Sequence, residues 1–141
     1  MLDIYLIYGI CDWYMVVFMK IKIIDPHKDS KQIWLGEKPG EIRKVFRSVD
    51  KELCDSEYFV SGITYFEPGE SSSYHNHPIS EEIDFVIKGH GKVESDGELK
   101  DFKEFDYMFI PKGVYHRHIN TSKETLILLW VYTPPGELPK V

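Results

Sequence analysis

Short runs of apolar and β-branched residues alternate with turn residues along most of the chain. From Ile21 onward, clusters of Gly, Pro, Asn and Asp separate these runs, a spacing typical of antiparallel strands in a sandwich or barrel. Asp96-Gly97 predicts a tight hairpin turn, because both residues tolerate positive φ angles. No run has the period of a helix longer than one or two turns, so we expect an all-β fold. The predicted strands cover residues 21–25, 41–49, 57–66, 81–89, 91–95, 105–110, 114–120 and 125–132.

The first twenty residues differ from the rest, since they are aromatic and aliphatic almost throughout. Asp12 interrupts the run and no basic residue precedes it, so neither a signal peptide nor a membrane-spanning helix is indicated. We expect residues 1–20 to be an apolar extension from a start upstream of Met19. A packing strand and a membrane-associating segment are the alternatives. Residues 21–141 are then one domain.

The length and net charge of the chain limit the kinds of molecule that it is expected to bind. A chain of 141 residues suits a single domain with one core. The net charge is -6 and no basic block is present, which argues against nucleic-acid binding. The two cysteines, Cys11 and Cys54, indicate neither a disulfide framework nor a thiolate zinc site. We therefore expect a cytoplasmic protein that binds a small molecule and does not associate with a membrane.

Two histidine pairs carry the candidate chemistry. In a strand, residues two apart share a face, so His75 would point with His77. His116 and His118 stand in the same relation on a later strand that a barrel could place beside the first. A surface pair or a hydrogen-bonded pair is the ordinary alternative for such a motif. Convergence with a carboxylate would make a site for Fe, Mn, Ni, Zn or Cu.

The spacing around both pairs is more specific than the pairs themselves. The first motif consists of Gly69, His75, His77, Glu82 and Gly89, and the second of Pro111, Gly113, His116 and Asn120. Through these two motifs, the sequence from about Arg43 to Thr133 resembles a single-domain type-2 member of the cupin superfamily. One departure is visible, since Phe105 stands where the second motif usually opens with glycine.

This resemblance implies a cupin-type double-stranded β-helix, a jelly-roll barrel, with one divalent transition metal ion per chain. Fe, Mn, Ni and Zn are the candidate ions. The implied ligands are His75, His77, Glu82 and His116. Spacing to Gly89 favours Glu82 over its neighbour Glu81 as the carboxylate ligand.

The alternation of side chains along a strand predicts two further residues of the site. If Glu82 faces inward, Asp84 does too, and His118 lies on the His116 face. We expect Asp84, kept ionised by the metal, to act as a general base, or else to orient a ligand histidine. His118 is expected to line the pocket, with a structural histidine or a fifth ligand as alternatives. Asp84 and His118 are the candidate catalytic residues.

The same parity turns Ile83, Phe85 and Ile87 away from the site. Apolar side chains there need a cover, either the N-terminal strand or a second subunit. Since cupins of this type are often dimers, we expect a homodimer.

Two functions remain open at this point. The first is a metal-dependent enzyme acting on a small oxygenated metabolite, by dioxygenation, lyase or decarboxylase chemistry, or isomerisation. The second is a non-catalytic metal-dependent module that binds a sugar or small acid. A cation among Arg43, Lys44 and Arg47 could serve a carboxylate substrate at the barrel mouth, although a solvated strand face is the simpler interpretation.

Overall fold

The computed structural model describes residues 20–136. The expectations for residues 1–19 therefore lie outside the described residues. In this range the longest helix, α1, has four residues, and no helix is long and apolar enough to cross a membrane. The elements are β1 (Lys31–Leu35), β2 (Arg43–Val49), α1 (Lys51–Cys54), β3 (Val60–Phe66), β4 (Glu81–Lys88), β5 (His90–Ser95), β6 (Glu98–Lys103), β7 (Tyr107–Ile110), β8 (Arg117–Ile119) and β9 (Leu126–Thr133).

Two antiparallel sheets enclose the core. The larger has the order β1-β2-β3-β9-β4-β7, and the smaller has the order β6-β5-β8. One apolar cluster joins the sheets, because Phe102 of β6 packs with Val86 of β4 and Leu128 of β9. A second cluster lies within the large sheet around Val45 and Trp130. The all-β expectation is confirmed.

Most predicted strands are present, but the first is wrong. Residues 21–25 form no strand, and Ile21 and Ile23 are exposed. The first strand is β1 instead, because it finds an antiparallel partner in β2. The predicted hairpin is confirmed: Asp96 and Gly97 have φ angles of 50° and 77°, and the flanking residues of β5 and β6 pair directly.

Phe105 occupies a glycine conformation in the turn before β7. Its φ angle is 68°, a left-handed value that bulky side chains rarely adopt. The surrounding hydrogen bonds hold it there, since Phe105 N–H donates to the Val86 carbonyl at 2.9 Å and Asp106 N–H donates to the Lys103 carbonyl at 3.0 Å. The missing motif glycine therefore leaves the turn intact at a cost in backbone strain.

Strand β4 presents two chemically different faces. Glu82, Asp84 and Val86 are buried, as parity predicts for an inward-facing Glu82. On the other face, Ile83 is 44% exposed and pairs with the exposed Phe109 of β7. The outer face is therefore apolar and uncovered among residues 20–136. The homodimer stays a prediction.

Asn120 ties the turn after β8 to the end of β3. It is buried, and its Nδ2 donates to the carbonyls of Phe66 at 2.9 Å and Glu124 at 2.8 Å. Its Oδ1 accepts from the backbone N–H and the hydroxyl of Ser122.

Replacing Asn120 by alanine is expected to lower the free energy of unfolding by about 2 to 4 kcal/mol, because buried hydrogen-bonding groups lose their partners. Urea denaturation measures this. The control is Glu124→Ala, since the Glu124 side chain is exposed and only its backbone takes part. Equal stabilities for the two variants would contradict the assigned role.

Candidate metal centre

Four ionisable side chains meet between the two apolar clusters. His75 and His77 lie on the connection from β3 to β4, Glu82 lies on β4, and His116 immediately precedes β8. One nitrogen or oxygen from each side chain lies within 4.8 Å of the others. Residues 75–77 lie outside the strands, so strand alternation does not position the first histidine pair.

Backbone contacts bring the two motifs together without a continuous strand. His75 N–H donates to the His116 carbonyl at 3.0 Å, and His116 N–H donates to the His75 carbonyl at 2.8 Å. Nearby, Gly113 N–H donates to the His77 carbonyl at 2.9 Å, and Asn76 Nδ2 donates to the Gly113 carbonyl at 3.1 Å. The isolated bridge between His75 and His116 therefore holds the two histidine pairs together without a continuous pairing of strands.

Backbone carbonyls also orient two of the imidazoles. His75 Nδ1 lies 2.8 Å from the Ser73 carbonyl, and His116 Nδ1 lies 3.0 Å from the Val114 carbonyl. A carbonyl only accepts, so each Nδ1 carries a proton and donates it. Each Nε2 is left as the ligating atom, which is the arrangement that fixes metal-binding histidines in many sites.

Glu82 lies at the centre of the cluster. Its Oε2 is 3.0 Å from His77 Nε2 and 3.2 Å from His116 Nε2. Burial opposes the ionised carboxylate, but hydrogen bonds from His116 and His77 hold the pKa of Glu82 well below its usual range. For His116, burial lowers the pKa, but the hydrogen bond and charge of Glu82 outweigh it and raise the pKa overall. Burial lowers the pKa of His75 to about 3, so this ring stays neutral.

The geometry and donor set fit a divalent ion. Two donor atoms each about 2.1 Å from one ion, at right angles, are about 3.0 Å apart, which matches both Glu82–histidine separations. Three imidazole nitrogens and one carboxylate oxygen suit borderline ions such as Fe, Mn, Ni and Zn. Glu81 is exposed, so only Glu82 faces this cluster. Metal ligation by these four residues stays a proposal, developed below.

Asp84 and His118 form a separate buried pair beside the cluster. Asp84 Oδ2 lies 3.0 Å from His118 Nε2. The His118 backbone is fixed by Ser72, whose hydroxyl accepts from the His118 N–H at 2.9 Å. His118 lies outside the four-residue group, which does not favour a fifth ligand. Asp84 also interacts with Glu82, His116 and His77 of the cluster, so its role as a base or in orienting a ligand histidine stays a prediction.

Burial shifts both members of this pair toward their uncharged forms. It raises the pKa of Asp84 well above its usual value, and the Glu82 carboxylate adds to this. Burial lowers the pKa of His118 to about 3, assisted by the charge of His116. Both shifts favour the uncharged forms of the two groups, whose Oδ2 and Nε2 atoms lie 3.0 Å apart. This differs from the expected ionised Asp84, for which a cation is needed nearby.

A cavity connects these groups. It has a volume of about 40 Å³ and is lined by the buried pair, three residues of the cluster and apolar side chains of β2, β3 and β9. A mouth of about 400 Å³ opens beyond His75. Trp130 stiffens the wall, since its Nε1 donates to Thr64 Oγ1 at 3.0 Å. The inner cavity and this outer space therefore share Leu35, Arg43 and His75 as lining residues.

The sequence interpretation of Arg43 as a solvated residue is wrong. Arg43 is only 6% exposed and lines both the cavity and the mouth. The sequence contains a feature that indicates burial of Arg43: it lies two residues before the apolar Val45, and strand residues two apart share a face. Lys44 points to the other face, where it lies over the Trp34 ring.

Comparisons with known proteins agree with the motifs. A family model described as "Cupin domain" matches residues 62–132. The protein named "Polyketide synthase CurC" of Streptomyces cyaneus is 31% identical over 121 residues, which is 86% of this chain and 71% of that protein. An uncharacterized protein of Aquifex aeolicus (strain VF5) is 37% identical over 108 residues, 76% of this chain and 83% of that one.

A solved structure agrees with the architecture. The crystal structure of a predicted oxalate decarboxylase from Thermotoga maritima superposes with a TM-score of 0.69. The match has 20% sequence identity and covers 79% of this chain and 98% of that one. Likeness at this level of identity concerns the fold alone.

Proposed function

The chain belongs to the cupin family, and on that premise we propose that it is a metal-dependent enzyme acting on a small oxygenated metabolite. The expected double-stranded β-helix and single small domain are confirmed with the family. The proposed reaction class is dioxygenation, lyase or decarboxylase chemistry, or isomerisation, because cupins share a fold and not a reaction.

The observation that carries the proposal is the position of the Asp84–His118 pair. Both residues line the same cavity as His75, His77 and Glu82. A site that only holds a metal and a ligand has little need for a second, fully buried proton-carrying pair, which is costly to bury. An enzyme that moves a proton has a direct use for it.

The proposed mechanism divides the work between the two groups. His75, His77, Glu82 and His116 would hold one divalent ion, which would polarise a substrate oxygen as a Lewis acid. The backbone carbonyls of Ser73 and Val114 keep two rings in the ligating orientation. Asp84 Oδ2 would take up or return a substrate proton, and His118 Nε2 holds that oxygen in place.

A non-catalytic binding module is the second candidate function. The observation in its favour is that Asp84 is engaged by His118 at 3.0 Å and has a raised pKa. A carboxyl held in this way can act as a structural group. The two functions differ in turnover, while both require the metal.

The test is a metal analysis followed by a substrate screen. Protein purified without added metal is examined by elemental analysis, loaded with the ion found, and incubated with small carboxylic acids, sugars and enols under air and under nitrogen. We expect about one ion per chain and conversion of at least one compound. Ligand binding without any conversion would favour the second candidate, and absence of a bound ion would contradict both.

Metal affinity is expected to fall on acidification, beginning at a higher pH than an ordinary histidine with a pKa of about 6.5 would give. Ligation requires His116 Nε2 without its proton, and Glu82 raises the pKa of His116 against the effect of burial. A proton therefore competes with the ion, and metal binding releases it. Calorimetric titration with Mn²⁺ between about pH 5 and pH 9 measures this. Affinity that does not change with pH would exclude a protonated His116 in the metal-free centre.

A further inference from the structure

Arg43 lies between the metal centre and solvent. It begins β2, is 6% exposed, and lines both the inner cavity and the mouth. His75 lines the same two spaces. A molecule entering from the mouth toward the cluster therefore passes Arg43.

No carboxylate of residues 20–136 forms a close ion pair with the Arg43 guanidinium, although Glu41, Glu82 and Glu70 act on its charge from further away. Its Nε has no hydrogen-bond partner there, and its Nη1 makes only a long contact of 3.4 Å to the Glu41 carbonyl. The group packs over the Phe66 ring at 5.7 Å. Burial lowers the pKa of Arg43 to about 10, so it stays charged at neutral pH.

Arg47, four residues further along β2, differs from Arg43 because it has an ion-pair partner. Its Nε lies 2.7 Å from the Asp50 carboxylate. Arg117, at the mouth, is paired with Glu94 at 2.6 Å. Arg43 alone of these three arginines points into the cavity without a carboxylate.

A buried cation without a partner is costly, and an anion that arrives with the substrate offsets this cost. We propose that Arg43 binds the carboxylate of the substrate, so that the substrate class of this centre is a small carboxylic acid. Arginine suits this role because its planar fork binds a carboxylate through two parallel hydrogen bonds. The inference deepens the proposed function and rests on it for the reaction, but the anion preference can be measured separately.

The size and charge of the cavity restrict the acid. A cavity of about 40 Å³ has space for about three water molecules, which matches a head group of two or three carbons. Larger substituents would extend into the mouth of about 400 Å³. Glu41 and Glu82 both act on the charge of Arg43, and their own charges disfavour a dianion such as phosphate.

The test compares pyruvate with pyruvamide, which has nearly the same size and no charge. Binding is measured by calorimetry on Mn²⁺-loaded protein and by NMR titration on metal-free protein. We expect pyruvate to bind about 10- to 100-fold more tightly than pyruvamide, and Arg43→Gln to remove this preference in the metal-free form and to reduce it in the Mn²⁺-loaded form, where the ion also attracts the carboxylate. Arg43→Lys should keep part of it, and the matched control Arg47→Gln should keep all of it.

Each other outcome counts against the role of Arg43. It is overturned by a wild-type protein without preference, by an Arg43→Gln variant whose metal-free form keeps the full preference, or by inorganic phosphate binding more tightly than pyruvate. If Arg43→Gln does not fold, the folded Arg43→Lys variant is the test. A reduced preference supports the arginine fork, and an undiminished preference overturns it. Failure of the proposed function appears elsewhere, as absence of a bound ion or of turnover, while the preference of metal-free protein still tests Arg43.

Discussion

Replacing His75 and His77 together by alanine is expected to abolish stoichiometric binding of a divalent ion. The two rings supply half of the proposed donor atoms, which leaves only Glu82 Oε2 and His116 Nε2, 3.2 Å apart. A site with only two donor atoms binds the ion weakly, so a proton competes with the ion successfully.

Elemental analysis and thermal unfolding measure this loss. Metal at about one hundred times its dissociation constant should stabilise the wild-type fold by about 2.7 kcal/mol, and the double variant by nothing measurable. His90→Ala is the control, because His90 is an exposed histidine of β5. Equal metal content in the wild type and the double variant would refute the ligand assignment.

The second large effect is expected for Asp84→Asn, which should lower turnover by about two to four orders of magnitude while leaving metal content unchanged. Asparagine keeps the size of the side chain and can still hydrogen-bond to His118, but it cannot take up a proton. Asp84 is buried and lies outside the four-residue cluster, so metal content should not depend on its charge.

The comparison needs a control on the same strand. Glu81→Gln removes a carboxylate from β4 at an exposed position, and it should leave turnover unchanged. If Asp84→Asn retains both metal and full turnover, Asp84 is not the base, and His118 becomes the residue to test. If metal is lost as well, Asp84 supports the centre and the proposed division of roles is wrong.

Period-two alternation made the faces of β4 predictable. Once Glu82 is placed inside, Asp84 must follow and Ile83 must turn outward, and the structure has this arrangement. The motif spacing likewise identified residues that meet at one point, although they come from separate parts of the chain. Both inferences depend on local geometry that a sequence carries directly.

Features that depend on partners were harder to predict. Residues 21–25 have a strand-like composition but no strand, while β1 forms because β2 offers a pairing edge. The His75–His77 segment is positioned by a single bridge to His116, which no periodicity shows. Arg43 was expected on a solvated face, but it is buried on the same face as Val45, two residues further along β2.

Crystallography of Mn²⁺-soaked protein with anomalous scattering tests the central claim most directly. We expect one anomalous peak per chain, about 2.0 to 2.2 Å from one atom each of His75, His77, Glu82 and His116. The same data would show whether Asp84 stays with His118, now 3.0 Å away. A peak elsewhere in the chain, or none at this cluster after metal loading, would contradict the account.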